Sequence, residues 1–194
     1  NSAGIPTIRS GGKSFWEHGV GLIVLSLLRS IDTNTWSGAS QCLAYCGLSV
    51  SWLNGFATGR GSCIEKLTEA YETAPDDHAR KKILALREGM LSWQYQASKR
   101  RVNLAICGAL DFVSDNSREG VKKLIASVKI NLTERKSQQS GVEGSQAAAQ
   151  AAERRQQESL GQRIARLSRV ESKEEEVHSS VVQLITLHSS KGLE

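Results

Sequence analysis

The sequence predicts a mainly α protein, a helical body set between two short β-strand segments. Three observations carry this. Apolar residues through the middle recur at 3- and 4-residue steps, as in Ile83, Leu86, Met90, Trp93 and Ala97, which is the spacing of a helix with one buried face. Only the two ends, Gly4–Arg9 and Val181–Leu187, read as extended, β-branched runs. The 39% hydrophobic content is enough for a core, and no uncharged apolar run is long enough to cross a membrane.

Gly4-Ile5-Pro6-Thr7-Ile8-Arg9 reads as a short strand and Ser10-Gly11-Gly12-Lys13-Ser14 as a turn, followed by a helix over about Phe15–Ser30. The Gly-Lys-Ser is not a Walker A loop. That loop needs a glycine five residues before its second glycine, and Thr7 stands there, so the amides cannot wrap a phosphate in that way. Pro6 also disfavours a central strand, because it has no N–H for the ladder.

The middle is helical by its own residues. Ser37–Leu53 reads as one mainly apolar helix ended by Asn54-Gly55, and Phe56–Gly61 as a loop. Ser62 with Glu65 forms a capping-box pattern for a helix from Cys63 to about Thr73. Pro75 with Asp76-Asp77 opens a helix to about Arg101, with acids at its positive end. A further helix is expected over about Val102–Val113, and another to about Lys129 capped by Asp115 or Asn116. Glu134–Gly144 reads as a polar linker. Ser145–Val170 is rich in Ala, Gln, Arg and Glu, strong helix formers, with a narrow apolar stripe at Leu160, Ile164 and Leu167.

The final run, Val181 to Leu187, reads as a strand that breaks into small polar residues, a Lys and a Gly. Polar groups just past the carboxyl end of a strand are where α/β sheets place ligands. The sequence stops at Glu194, before a helix follows, and this predicts a piece of a larger protein. Thr186-Leu187-His188-Ser189-Ser190-Lys191-Gly192-Leu193-Glu194 resembles motif V of UvrD/Rep-type superfamily 1 DNA helicases, whose usual form is T-x-H-x-x-K-G-L-E. Near the other end, Gly4, Ile5, Pro6, Gly11, Gly12, Phe15 and Glu17 are similar to the family's motif IV region, with Trp16 in place of a second Phe. The family's Arg and Glu-Ile-Lys-Asp that usually follow are replaced by His18-Gly19-Val20-Gly21-Leu22-Ile23.

The resemblance implies a helical accessory subdomain (the family's 2B) inserted between two short β-strand segments of a truncated RecA-like α/β domain. Residues 1–34 would begin that domain and 35–133 would be the helical subdomain. Residues 134–178 would be a polar linker and Ala/Gln/Arg-rich helix, and 179–194 the return strand with motif V. It implies that Thr186 and His188 face single-stranded DNA and that Gly192 and Glu194 lie near the nucleotide, with Lys191 steadying the turn. Gly59-Arg60-Gly61 is similar to the family's Gly-Ile-Gly turn on duplex phosphates, with Arg60 in place of Ile. On residues alone, that turn exposes amides at a helix N-terminus.

The intact enzyme would use ATP and Mg2+ to unwind DNA 3′ to 5′ in the bacterial cytosol or nucleoid. Neither cofactor is expected on this chain, which has no Walker lysine, Mg2+-binding acid or arginine finger. Its expected partners are single-stranded and junction DNA and the rest of the helicase, with no membrane. The alternatives are a non-enzymatic helical DNA-binding or protein-interaction module, and a scaffold whose Ala/Gln-rich helix pairs with partner helices. The net charge of +5 sits in residues 1–133, with 16 Lys+Arg against 11 Asp+Glu. This fits a polyanion without demanding one. Lys99-Arg100-Arg101 and Lys122-Lys123 are the basic clusters, and such cations also complement a helix C-terminus. Cys42 and Cys46 have helix-face spacing rather than C-x-x-C, so no zinc site is expected and the four cysteines read as reduced thiols.

Overall fold

Helices form where apolar residues fall three and four apart, and several of them stop where one residue enters the left-handed region. The computed structural model describes residues 7–9, 15–17, 19–134, 158–168 and 182–184. Strand β1 (Thr7–Arg9) precedes a single 3-10 turn at Phe15–Glu17 and helix α1 (Gly19–Thr33). The helix expected over Phe15–Ser30 is thus a tight turn and a separate α-helix. Val24, Leu25, Leu27, Leu28 and Ile31 of α1 are buried. Full burial of each such side chain contributes about 1.5–3 kcal/mol.

The single helix expected over Ser37–Leu53 is two, α2 (Trp36–Tyr45) and α3 (Val50–Asn54). Gly47 breaks it. At φ 96° Gly47 turns its own amide onto the Ala44 carbonyl (2.9 Å) and the Leu48 amide onto that of Leu43 (3.1 Å). This double closure satisfies the last carbonyls of α2 and ends it. Ser49 then caps α3. α4 spans Cys63–Glu72 with the Ser62–Glu65 capping box in place. α5 spans Asp77–Ser98, and the Ala79 amide donates to the Asp76 carboxylate at 2.7 Å. α6 is Val102–Asp115 and α7 is Glu119–Glu134. Asn116 ends α6 rather than starting α7, since its side-chain amide donates back to the Phe112 carbonyl. α8 is Leu160–Ser168, and strand β2 is Val182–Leu184.

α1 is the axis of packing, touching the 3-10 turn, α2, α5, α6 and α8. Its fit to α2 depends on Gly38, where an added Cβ would lie 1.7 Å from the Ser26 carbonyl oxygen. Ser30, fully buried on α1, accepts the Gly38 and Ala39 amides at 2.8 and 3.1 Å. It therefore caps α2 from a neighbouring helix, while Thr35 at the N-cap position makes no side-chain cap bond. α5 and α6 close around Trp93, whose ring fills the space beside Gly89 and Gly108 and meets Phe112 edge-on. The helix stripe expected on α5 is buried at Ile83, Leu86, Met90 and Trp93.

α8 lies on α1. Leu160 and Ile164 are buried and Leu167 packs against the same core. The apolar stripe read from its sequence thus docks within the chain. The boundary expected between residues 34 and 35 falls between α1 and α2, which are in contact. Of the linker expected over Glu134–Gly144, Glu134 is the last residue of α7 and residues 135–144 lie outside the described residues, as do residues 145–157 and 169–170 of the helix expected over Ser145–Val170. β1 and β2 pair in parallel, with Thr7 opposite Val182, Ile8 opposite Gln183 and Arg9 opposite Leu184. Among the described residues no helix is long and apolar enough to cross a membrane.

Candidate nucleic-acid interface

Three chain segments meet at Asn34. This residue takes φ 53° at the end of α1, a conformation asparagine tolerates better than most side chains. Its carbonyl accepts the Cys63 amide at 2.9 Å, fixing the start of α4. The Gln94 side-chain amide on α5 donates to the Asn34 side-chain oxygen at 3.3 Å and to the Ile31 carbonyl at 3.4 Å. The loop before α4 and the final turns of α5 are therefore held at one end of the helical body. That end carries Arg60, Lys99, Arg100 and Arg101, all exposed.

The Gly59-Arg60-Gly61 turn is formed, and amides that follow it at the start of α4 are taken up within the chain. Gly61 has φ 147°, a backbone state that suits glycine. Gly59 faces open space. The Ser62 amide donates to the Glu65 carboxylate at 2.7 Å and the Glu65 amide to the Ser62 hydroxyl at 3.2 Å. The Cys63 amide is taken by Asn34 and that of Lys66 by the Ser62 carbonyl. The Ser62, Cys63, Glu65 and Lys66 amides expected to be exposed at this helix start are thus bonded within the chain. What the turn offers an anion is the Arg60 guanidinium, opposed by the Glu65 carboxylate. Glu65 titrates below its ordinary value because the Ser62 amide and hydroxyl hold it as the anion.

Several cations elsewhere on the body make contacts within the fold. Lys66 is buried and reaches the Ala57 carbonyl at 3.5 Å. Lys82 donates to the Cys46 carbonyl, where a cation complements the end of α2. Arg80 and Arg87 both lie 5.9 Å from the centre of the Tyr71 ring. Lys129 pairs with Asp111, and Arg163 and Arg166 share Glu158. Lys123 on α7 is exposed and Lys122 half-buried.

Cys42 and Cys46 contact each other one turn apart. Cys42 titrates well above its usual range through that hydrogen bond and burial, while Cys46 is lowered by the same bond and by nearby Lys82. Burial pushes the Cys63 thiol up to about 12. All four cysteines are free thiols. Among the described residues no three His, Cys, Asp or Glu side chains converge as a metal site would require.

Thr186, His188, Gly192 and Glu194 lie outside the described residues. β2 ends at Leu184, two residues before Thr186. Tyr95, exposed on α5 beside Lys99, is not marked by any motif in the sequence. It lies off the stripe of Ile83, Leu86, Met90 and Trp93, and that displacement was the available signal. No protein-family model matches the chain, and searches of curated proteins and of solved structures give no match.

Proposed function

We propose that this chain is part of an ATP-dependent DNA helicase of the UvrD/Rep type. It would comprise part of the second RecA-like domain and its inserted accessory subdomain. The observation that carries the reading is the parallel pairing of β1 with β2 across the whole helical body. Adjacent parallel strands need a crossover connection. Here that crossover would be the inserted subdomain, and the motif V-like residues would follow β2 directly. Thr186 and His188 then face the single strand, the first through a hydroxyl–phosphate hydrogen bond. Gly192 and Glu194 lie near the nucleotide ribose, so the segment couples the DNA track to the ATP cleft. ATP and Mg2+ belong to the intact enzyme, whose flanking segments supply the phosphoryl-transfer groups. The chain contributes DNA contacts and coupling, not hydrolysis.

A second reading, a non-enzymatic helical DNA-binding module, is favoured by the basic end, which draws only on residues of the helical body. Hydrolysis separates the two. The 194-residue chain is expected to release no phosphate from ATP with or without DNA. The protein with its natural flanking segments is expected to show DNA-stimulated hydrolysis that falls sharply on Glu194→Gln. A flanked protein that hydrolyses nothing would overturn the helicase reading and leave the module.

A further inference from the structure

The last turns of α5 leave an aromatic ring and a leucine in solvent. Tyr95 is 57% exposed and Leu91, one turn earlier, 50%. The 3.6-residue period puts both on the side of α5 opposite Trp93, whose ring faces α6. Lys99 holds its ammonium 5.7 Å from the centre of the Tyr95 ring. Arg100 follows at φ 59°, in the position past a helix end that glycine usually fills. The turn is pinned there by the Arg100 amide on the Ala97 carbonyl (3.0 Å) and the Arg101 amide on that of Gln96 (2.9 Å). Complementing the helix dipole accounts for cations at this end. It does not account for an exposed ring and leucine beside them, nor for a long charged side chain where glycine would relieve the backbone.

We propose that the C-terminal turn of α5, formed by Tyr95, Lys99, Arg100 and Arg101, binds single-stranded DNA. An unpaired base stacks on Tyr95, and the three cations hold its flanking phosphates. Aromatic stacking with a cationic groove is how single strands are held without sequence preference. The proposal rests on the DNA-binding part of the reading above and adds which residues take the unpaired strand.

The test is fluorescence anisotropy of the 194-residue chain with labelled oligothymidylate of about 15 nucleotides. A blunt duplex of equal length is run beside it, both at about 50 and about 200 mM salt. Tyr95→Ala is expected to weaken single-strand binding about 5- to 150-fold. It should leave duplex binding and the salt slope unchanged, and Tyr95→Phe should bind as wild type. The pair Arg100→Ala and Arg101→Ala should reduce the slope of log affinity against log salt by about 1.4. Circular dichroism melts check that the variants are folded. If the wild type binds DNA and Tyr95→Ala binds equally well, the stacking site is refuted while DNA binding stands. If the wild type binds neither oligonucleotide at low salt, this proposal and the DNA-binding reading fall together. If a polyglutamate peptide competes as well as oligothymidylate and Tyr95→Ala weakens both alike, the turn docks acidic protein segments and the proposal fails.

Discussion

Ser30 carries more of the fold than its size suggests. Its hydroxyl, fully buried in α1, is the acceptor for two amides at the start of α2. Ser30→Ala leaves those amides without a partner away from water and is expected to cost about 1–2 kcal/mol, read as a lowered chemical denaturation midpoint. Nothing local in the sequence marks this cap, because donor and acceptor lie eight and nine residues apart on different helices. The Ser62–Glu65 capping box is the opposite case. Both partners lie within one turn, so the pattern is legible in the sequence itself. It also sets a pH response. The Glu65 carboxyl titrates below its ordinary value in the folded chain, so its stabilisation is present above the unfolded pKa and is lost as pH falls through the lower, folded one. Glu65→Gln can keep the cap in both ranges. Its acid-denaturation curve is expected to lose less stability below about pH 4.3 than that of the wild type.

At the scale of elements, the boundary between α2 and α3 shows why an apolar run misleads. Leu43, Ala44, Leu48, Val50 and Trp52 suggest continuity, but Gly47 in the left-handed region decides the break. Space around Gly47 is open, so Gly47→Ala meets no clash and its cost is backbone strain alone, about 1–2 kcal/mol. A thermal melt of that variant measures it, and an unchanged midpoint would contradict the strained turn. α8 was legible as a helix with a narrow stripe but not as a docked one. Its stripe is too short to specify a partner, and the face that receives it belongs to α1, far away in sequence. Ser159 and Gln162 form a reciprocal cap at its start, and an added Cβ at Gly161 would lie 2.8 Å from an Asp32 carboxylate oxygen. Ile164→Ala is expected to cost about 2–4 kcal/mol. Hydrogen exchange should show it as faster exchange in α8 while α5 and α6 keep their protection.

For the whole molecule, the helical body was legible because periodicity and caps are local signals, and the mainly α architecture follows from them. The basic end was not, because Asn34 assembles it from residues distant in the chain: Arg60 before α4 and Lys99–Arg101 after α5. We propose that this end meets DNA and that the helical body carrying it is inserted in the chain between two strands that pair as neighbours. Titrating the chain with a labelled duplex bearing a single-stranded tail, at about 50 and about 200 mM salt, tests that claim directly. Binding is expected at low salt, weakening steeply as salt is raised and preferring the tailed duplex over the blunt one. No binding at low salt, or equal binding to tailed and blunt duplexes with no dependence on salt, would contradict it.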